Sequence, residues 1–300
     1  TRPASQVAVT LAGGLSYRLD QFETVESLNG QWKISGLANS QEPYPEDVDL
    51  ASGYERRDYN DASWDTIAVP LDWYRKYPGA RKKDAPYVKG WYRKGINVSK
   101  EQEGKRVCLN FDVIGYDATL FVNGKLAGRH HGDFTPWSVD ITPWVEFGAE
   151  NTLAIRVLSD FGPSFGVTKP AEHAYGSQWS IGNIKGGLWQ DVSLSYLTPM
   201  LIKRALITPS LAASSIEVDY LIENHTGQKQ DLTLYGTVVS AMKTAGDSPA
   251  GAELGKVSLL PGANEGRVEI KLKDPQLWSP DNPYLYYLSL ALVREKKVVA

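Results

Sequence analysis

The sequence predicts an all-β protein built as two successive β-sandwiches. Three observations carry that expectation. Short runs rich in β-branched and aromatic residues recur along the chain, as in Val107-Cys108-Leu109-Asn110-Phe111, a composition that suits a pleated, half-buried surface. Gly, Pro and Asn separate these runs, and long amphipathic helical patterns are missing, which is how a sandwich or barrel reads. The length of 300 residues suits two ordinary domains.

Taken in order, the strand signals of the first region are Val107 to Val113, Ala118 to Val122, Asn151 to Val157 and Gln190 to Tyr196. Asn123-Gly124 follows Ala118–Val122 and precedes Lys125-Leu126-Ala127-Gly128. An Asn-Gly pair between two such runs predicts a tight hairpin, because a type I′ turn needs positive φ at both central residues. The region to about residue 198 is large for a seven-stranded sandwich and suits a jelly roll with long loops, at 38–61, 72–90 and 159–187. Loops of that length are usually functional or disordered. Tyr74, Tyr77, Tyr87, Phe161, Phe165, Tyr175 and Trp179 favour ordered, packed loops.

Thr198-Pro199 marks a boundary, so the expected domains are 1–198 and 199–300. Six β-runs follow it, Leu201–Ile207, Ile216–Ile222, Leu232–Val239, Lys256–Leu260, Gly266–Leu272 and Tyr284–Val293. Their spacing and their Asn-His-Thr-Gly and Pro-Gly turns suit an immunoglobulin-like sandwich, and with no Cys pair it is not of the antibody type. Lys296 to Ala300 begins a seventh strand where the sequence stops, so this sandwich is expected to be cut short at its C-terminal strand.

Composition narrows the function. Net charge is -3 and no block of basic residues is present, which argues against nucleic acid or an anionic membrane surface as partner. No run approaches the eighteen apolar residues of a membrane span. The single cysteine, Cys108, reads as a buried small apolar residue, and no Cys/His cluster has zinc-ligand spacing. No phosphate loop or nucleophile elbow appears, so neither a cofactor nor a metal is expected.

A set of motifs then points further. Leu28-Asn29-Gly30-Gln31-Trp32, Val69-Pro70-Leu71-Asp72-Trp73 and Trp91-Tyr92-Arg93-Lys94 come first. Gly115-Tyr116-Asp117, Val122-Asn123-Gly124-Lys125, His131-Gly132, Phe134-Thr135-Pro136 and Ile141-Thr142 follow, then Gly186-Gly187-Leu188-Trp189-Gln190-Asp191-Val192. Asp274-Pro275-Gln276-Leu277-Trp278-Ser279-Pro280 with Pro283-Tyr284-Leu285-Tyr286 lies in the second region. In this order the motifs resemble the sugar-binding domain and the immunoglobulin-like domain of family 2 glycoside hydrolases, from about residue 28 to 300. The residues also have structural reasons of their own: Trp32, Trp91, Trp189 and Trp278 bring apolar area to sandwich cores.

The resemblance implies a galactose-binding-like jelly roll ahead of an immunoglobulin-like domain, in a retaining exo-β-glycosidase whose two glutamates lie on a downstream (β/α)₈ barrel. Hydrolysis needs two carboxyl groups flanking the scissile bond. Here Asp47-Val48-Asp49 and Asp58 to Asp65 read as solvated loop faces. No catalytic residue is therefore assigned, and the partner implied is a β-glycoside. By resemblance, Asp160 is the acid after a strand that contacts the terminal sugar; a carboxylate can accept two sugar hydroxyls, and the bland reading is a turn acid. Tyr87, in Asp84-Ala85-Pro86-Tyr87, and Trp73 are candidates for stacking on a pyranose, against loop packing. Trp179, in a mixed polar-aromatic loop, is a rim candidate. His130 and His131 read as turn-stabilising. A stand-alone carbohydrate-binding module with a spacer is the alternative. A periplasmic or extracellular bacterial location is expected, with the cytoplasm as alternative; the oligomeric state stays open.

Overall fold

A computed structural model describes residues 8–10, 16–18, 22–40, 52–80, 87–132, 134–160, 185–241 and 250–300, with backbone alone at 8–10, 16–18, 39, 40, 87, 160, 250 and 251. The strands are β1 (Ala8–Thr10), β2 (Ser16–Arg18), β3 (Glu23–Ser27), β4 (Gly30–Ser40), β5 (Asp65–Val69), β6 (Tyr87–Val98), β7 (Arg106–Phe111), β8 (Asp117–Val122), β9 (Lys125–His131), β10 (Trp137–Asp140), β11 (Ala149–Asp160) and β12 (Val192–Leu197). The later strands are β13 (Met200–Ser210), β14 (Ser215–Asn224), β15 (Gln230–Ser240), β16 (Ala250–Leu259), β17 (Gly262–Lys271), β18 (Tyr286–Arg294) and β19 (Lys297–Val298). One short α-helix, α1 (Trp73–Lys76), is capped by the Asp72 carboxylate.

The chain divides into a unit of Val25–Tyr196 and a unit of Thr1–Thr24 with Leu197–Ala300. The sequence reading starts the first domain at residue 1. In the structure Phe22 packs against Ala291, Val293 and Val298 of the later unit.

In Val25–Tyr196 a four-stranded sheet, β10-β7-β12-β3, and a six-stranded sheet, β5-β4-β6-β11-β8-β9, form the expected jelly-roll sandwich. The period-2 pleat explains its core. Val107, Leu109 and Phe111 on β7 and Val192, Leu194 and Tyr196 on β12 turn inward, as do Trp32 and Ile34 on β4 and Leu153, Ile155 and Val157 on β11. The β8–β9 hairpin turns at Asn123 (φ 51°) and Gly124 (φ 82°), the two positive angles that the Asn-Gly pair predicts. Cys108, the single cysteine, is buried as expected.

The later unit pairs β13-β14-β17 in one sheet and β16-β15-β18-β19 in the other, an immunoglobulin-like sandwich. Each of the six predicted runs falls on a strand, and the seventh is the two-residue β19 beside β18. One core expectation is corrected here. Trp32 and Trp91 are buried, but Trp278 is 60% exposed. It lies in an irregular stretch between β17 and β18, where no pleat directs alternate side chains inward.

Candidate functional site

The candidate site is the end of the six-stranded sheet at which β6 begins and β11 ends. Register places Asp160 of β11 directly opposite Tyr87 of β6. Ser40, the last residue of β4, faces Tyr87 from the other side. Three strand ends therefore meet where segments 41–51, 81–86 and 161–184 join the sheet. Two of the sequence candidates, Asp160 and Tyr87, are brought together as backbone neighbours; their side chains lie outside the described residues. Trp179 also lies outside them, as do Asp47-Val48-Asp49.

Trp73 is corrected. It is fully buried, stacked on Tyr92 with ring centroids 6.2 Å apart and 6° between planes, with Tyr74 at its edge. No face is left for a pyranose. Its contribution is positional. The Trp73 backbone N–H donates to the Gly186 carbonyl at 3.1 Å, and Leu71 N–H to the Leu188 carbonyl at 3.0 Å. The Asp72 carboxylate accepts from Gly186 N–H at 3.2 Å as well as from Tyr74 N–H at 3.1 Å. Gly187 and Gly115 exchange two backbone hydrogen bonds, at 3.0 and 3.1 Å. The close approach requires glycine: a Cβ on Gly186 would sit 2.2 Å from Trp73 Nε1. These contacts clamp the residues that follow segment 161–184 onto the sandwich, while the residue that precedes it, Asp160, is held by the β11 ladder.

Beside Asp160 lies a polar chain that sequence reasoning missed. The His131 ring is bracketed by Asp117, at Nδ1, and by the Tyr116 hydroxyl, 2.5 Å from Nε2. Asp117 faces His131 across the β8–β9 hairpin, and Leu158 of β11 pairs with Asp117. The imidazole edge meets the Tyr116 ring at 4.4 Å, and Tyr116 N–H donates to the Leu158 carbonyl at 2.8 Å. His131 is thus more than a turn residue. A histidine between a carboxylate and a phenol is fixed in tautomer and orientation by its partners. Its neighbour His130 stacks on Trp137 at 5.3 Å, and burial, the largest influence, lowers its pKa. Phe134, 60% exposed, meets the edge of Trp189, whose other contact is the Lys185 amine 4.3 Å from the ring centre.

Acids of the 58–65 stretch split in two. Asp58 is solvated, with its side chain 71% exposed. Asp61 is not a bland loop face: it accepts from Arg93 Nε at 2.8 Å, and the Arg93 side chain is only 4% exposed. No Asp or Glu is buried among the described residues, and none of their His, Cys, Asp and Glu side chains form a group able to hold a metal ion.

A jelly roll followed by an immunoglobulin-like sandwich, with three strand ends meeting at one end of the larger sheet, defines a pair of β-sandwich domains. The comparisons give the family. Residues 82–189 match "Glycosyl hydrolase 2 galactose-binding domain-like" and residues 201–300 match "Glycosyl hydrolases family 2"; the chain belongs to glycoside hydrolase family 2 and carries its N-terminal domains. It is similar to a β-glucuronidase of Formosa agariphila, 26% identical over 264 residues, covering 80% of this chain and 26% of that protein. It is also similar to a β-galactosidase of Thermoanaerobacter pseudethanolicus, 26% identical over 265 residues, covering 85% and 32%. The chain therefore spans less than a third of either relative. Among solved structures, the β-glucuronidase of Bacteroides uniformis shares the fold with a TM-score of 0.66 at 23% identity, over 92% of this chain and 31% of that one.

Proposed function

We propose that this chain is the sugar-facing, non-catalytic front of a retaining exo-β-glycosidase, supporting and capping a catalytic domain encoded on the same polypeptide. Its sheet-end loops shape the pocket for the terminal sugar, with Asp160 accepting sugar hydroxyls. The observation that carries this reading is the register that sets Asp160 opposite Tyr87, where segments 81–86 and 161–184 enter and leave the sheet. The Asp117-His131-Tyr116 chain stands beside it and stiffens that edge. Glycosidic cleavage needs two carboxyl groups roughly 5 to 9.5 Å apart across the scissile bond. The described acids instead stand in ion pairs and on exposed strand faces. The part matched here is only 26% of the relative named β-glucuronidase and 32% of the one named β-galactosidase.

The test is enzymatic. The 300-residue chain is assayed with 4-nitrophenyl β-glucuronide and β-galactoside beside a longer polypeptide that includes the downstream coding sequence. Turnover is expected from the longer protein alone. Steady release of nitrophenol by the 300-residue chain, abolished on mutating one of its own carboxylates, overturns the reading.

A further inference from the structure

The face of the six-stranded sheet that points away from the core is not uniformly solvated. Inward residues alternate with outward ones along each strand. With Trp32, Tyr92 and Ile155 inside, the outward row carries Lys33 of β4 opposite Arg93 of β6, and Ala154 and Thr152 of β11 opposite Arg93 and Gly95. Part of this row is roofed. Tyr54 and Trp64, from the 52–64 segment, pack on Trp91, Phe121 and Ala154. Arg93 pins that segment to the sheet. Its guanidinium donates to Asp61 at 2.8 Å and to the carbonyls of Tyr54 at 2.5 Å and Arg56 at 3.0 Å, and it lies 5.5 Å from the centre of the Tyr59 ring. A buried guanidinium is costly unless its donors are met; here they are met by the segment it holds.

Next to this roofed part the face opens into a cleft of about 370 Å³, near the small end of the 300–1,000 Å³ range of ligand sites. Gly95 forms the floor. A Cβ there would stand 2.3 Å from a Glu150 carboxylate oxygen, so the missing side chain is what lets that carboxylate lie across the strand. Four charged groups on the wall are already committed, Asp61 and Arg93 to each other, Arg57 to Glu146, and the Lys94 amine to the Gln31 carbonyl at 2.9 Å. Four polar heads are not. The Glu150 carboxylate and the hydroxyls of Tyr59 and Thr152 have no hydrogen-bond partner among the described residues, and the Lys33 amine has only the Trp64 carbonyl at 3.3 Å.

These four heads make one carboxylate, one ammonium and two hydroxyls, a mixed donor–acceptor surface. An anion entering it meets Glu150, and a cation meets Lys33. An apolar molecule leaves polar groups desolvated and unpaired, at about 1–3 kcal/mol each. A ring bearing adjacent hydroxyls fits every head: hydroxyls donate to the carboxylate, accept from the ammonium, and do either with Tyr59 and Thr152. We infer that this outer-face cleft is a binding site for a neutral mono- or disaccharide, separate from the sheet end that holds Asp160. Along β6 the eight steps from Tyr87 to Gly95 span roughly 26 Å at about 3.3 Å per residue, so one sugar cannot occupy both places. The inference does not rest on the role proposed for Asp160.

Titration of the 300-residue chain with methyl β-D-galactopyranoside, methyl β-D-glucopyranoside and cellobiose, followed by amide chemical shifts, tests it. Glu150 is exposed and its carboxylate bonds nothing among the described residues, so Glu150→Ala is expected to fold normally. Saturable shifts centred on Gly95 and Thr152 are expected with at least one neutral probe. The affinity should fall tenfold or more in Glu150→Ala and severalfold in Tyr59→Phe, and methyl β-D-glucuronide should bind more weakly than its neutral counterpart. Absence of binding by all three neutral probes overturns the inference. So does binding that survives Glu150→Ala but is lost in Asp160→Asn, an outcome that leaves the sheet-end reading standing.

Discussion

Replacing Gly187 with alanine tests how the sandwich anchors the segment that follows residue 184. Gly187 has φ +82°, and a Cβ there would lie 2.1 Å from the Tyr92 hydroxyl and 3.0 Å from a ring carbon of Trp73. Ordinary carbon contacts are about 3.5–4.0 Å, so Tyr92 would have to retreat by more than about 1 Å. It has nowhere to go: it is fully buried, stacked on Trp73, and its hydroxyl accepts from Leu188 N–H at 3.4 Å. The left-handed backbone costs alanine about 1–2 kcal/mol. Overpacking a rigid core adds about 1–3 kcal/mol, for a total of about 2–5 kcal/mol. Gly104 is the matched control, with φ +86° and nothing within 4 Å of its Cβ position, so Gly104→Ala should cost the backbone share alone. Urea titrations read by tryptophan fluorescence suit the comparison, because eight of the nine tryptophans lie in Val25–Tyr196. Equal losses in Gly187→Ala and Gly104→Ala would refute the close-approach argument.

Three further outcomes follow from the same contacts. Arg93→Met removes the guanidinium that holds Asp61 and two carbonyls; unfolding of this unit should become easier by about 2–3 kcal/mol, and limited proteolysis should cut first within 52–64. Asp140 is half-buried, and burial alone would raise its pKa, but hydrogen bonds from Thr142 and Arg106 outweigh that and hold it below the usual carboxylate value. A depressed folded-state pKa means a stabilising contribution that is complete above about pH 4 and lost as pH falls through the lower folded value. Asp140→Asn should therefore cost about 1–2 kcal/mol at pH 7, reduced by its partial exposure, and the gap from wild type should close as pH falls below about 4 in urea titrations. Release of nitrophenol from chromogenic β-glycosides should be absent for the 300-residue chain.

What the sequence discloses follows how local the physics is. The Asn123-Gly124 turn was legible because its two backbone angles are set by the residues themselves. The alternation of β7 and β12 was legible for the same reason. The His131 partner shows the limit. Counting back from the turn pairs Val122 with Lys125 and would set Asp117 opposite His130, but a bulge between Leu120 and Phe121 shifts the register by one and brings His131 to Asp117. One inserted residue changes which histidine is engaged, and the sequence does not announce it. Asp61 reads as a loop acid because its partner Arg93 is 32 residues away.

The two tryptophan corrections have a common cause. A tryptophan beside a β-run reads as either core or surface, and only the surrounding backbone decides. Trp73 is enclosed because Gly186 and Gly187 let the chain pass against its ring. Trp278 is left open because the stretch around it adds no strand. The family motifs at both positions were visible in the sequence, while the direction in which each indole points was not. Asp160 and Tyr87 stand differently: their expectation came from resemblance, and the register now supplies a geometric relation between them.

The central claim is that the edge carrying Asp160 meets the terminal sugar while the chemistry is done elsewhere on the polypeptide. Asp160→Asn, made in the longer protein, addresses it most directly through kcat/KM for a 4-nitrophenyl β-glycoside. The account predicts a loss of at least about tenfold, the worth of one charge-assisted hydrogen bond, with the unfolding midpoint of the Val25–Tyr196 unit unchanged. Wild-type kcat/KM in that variant would contradict it.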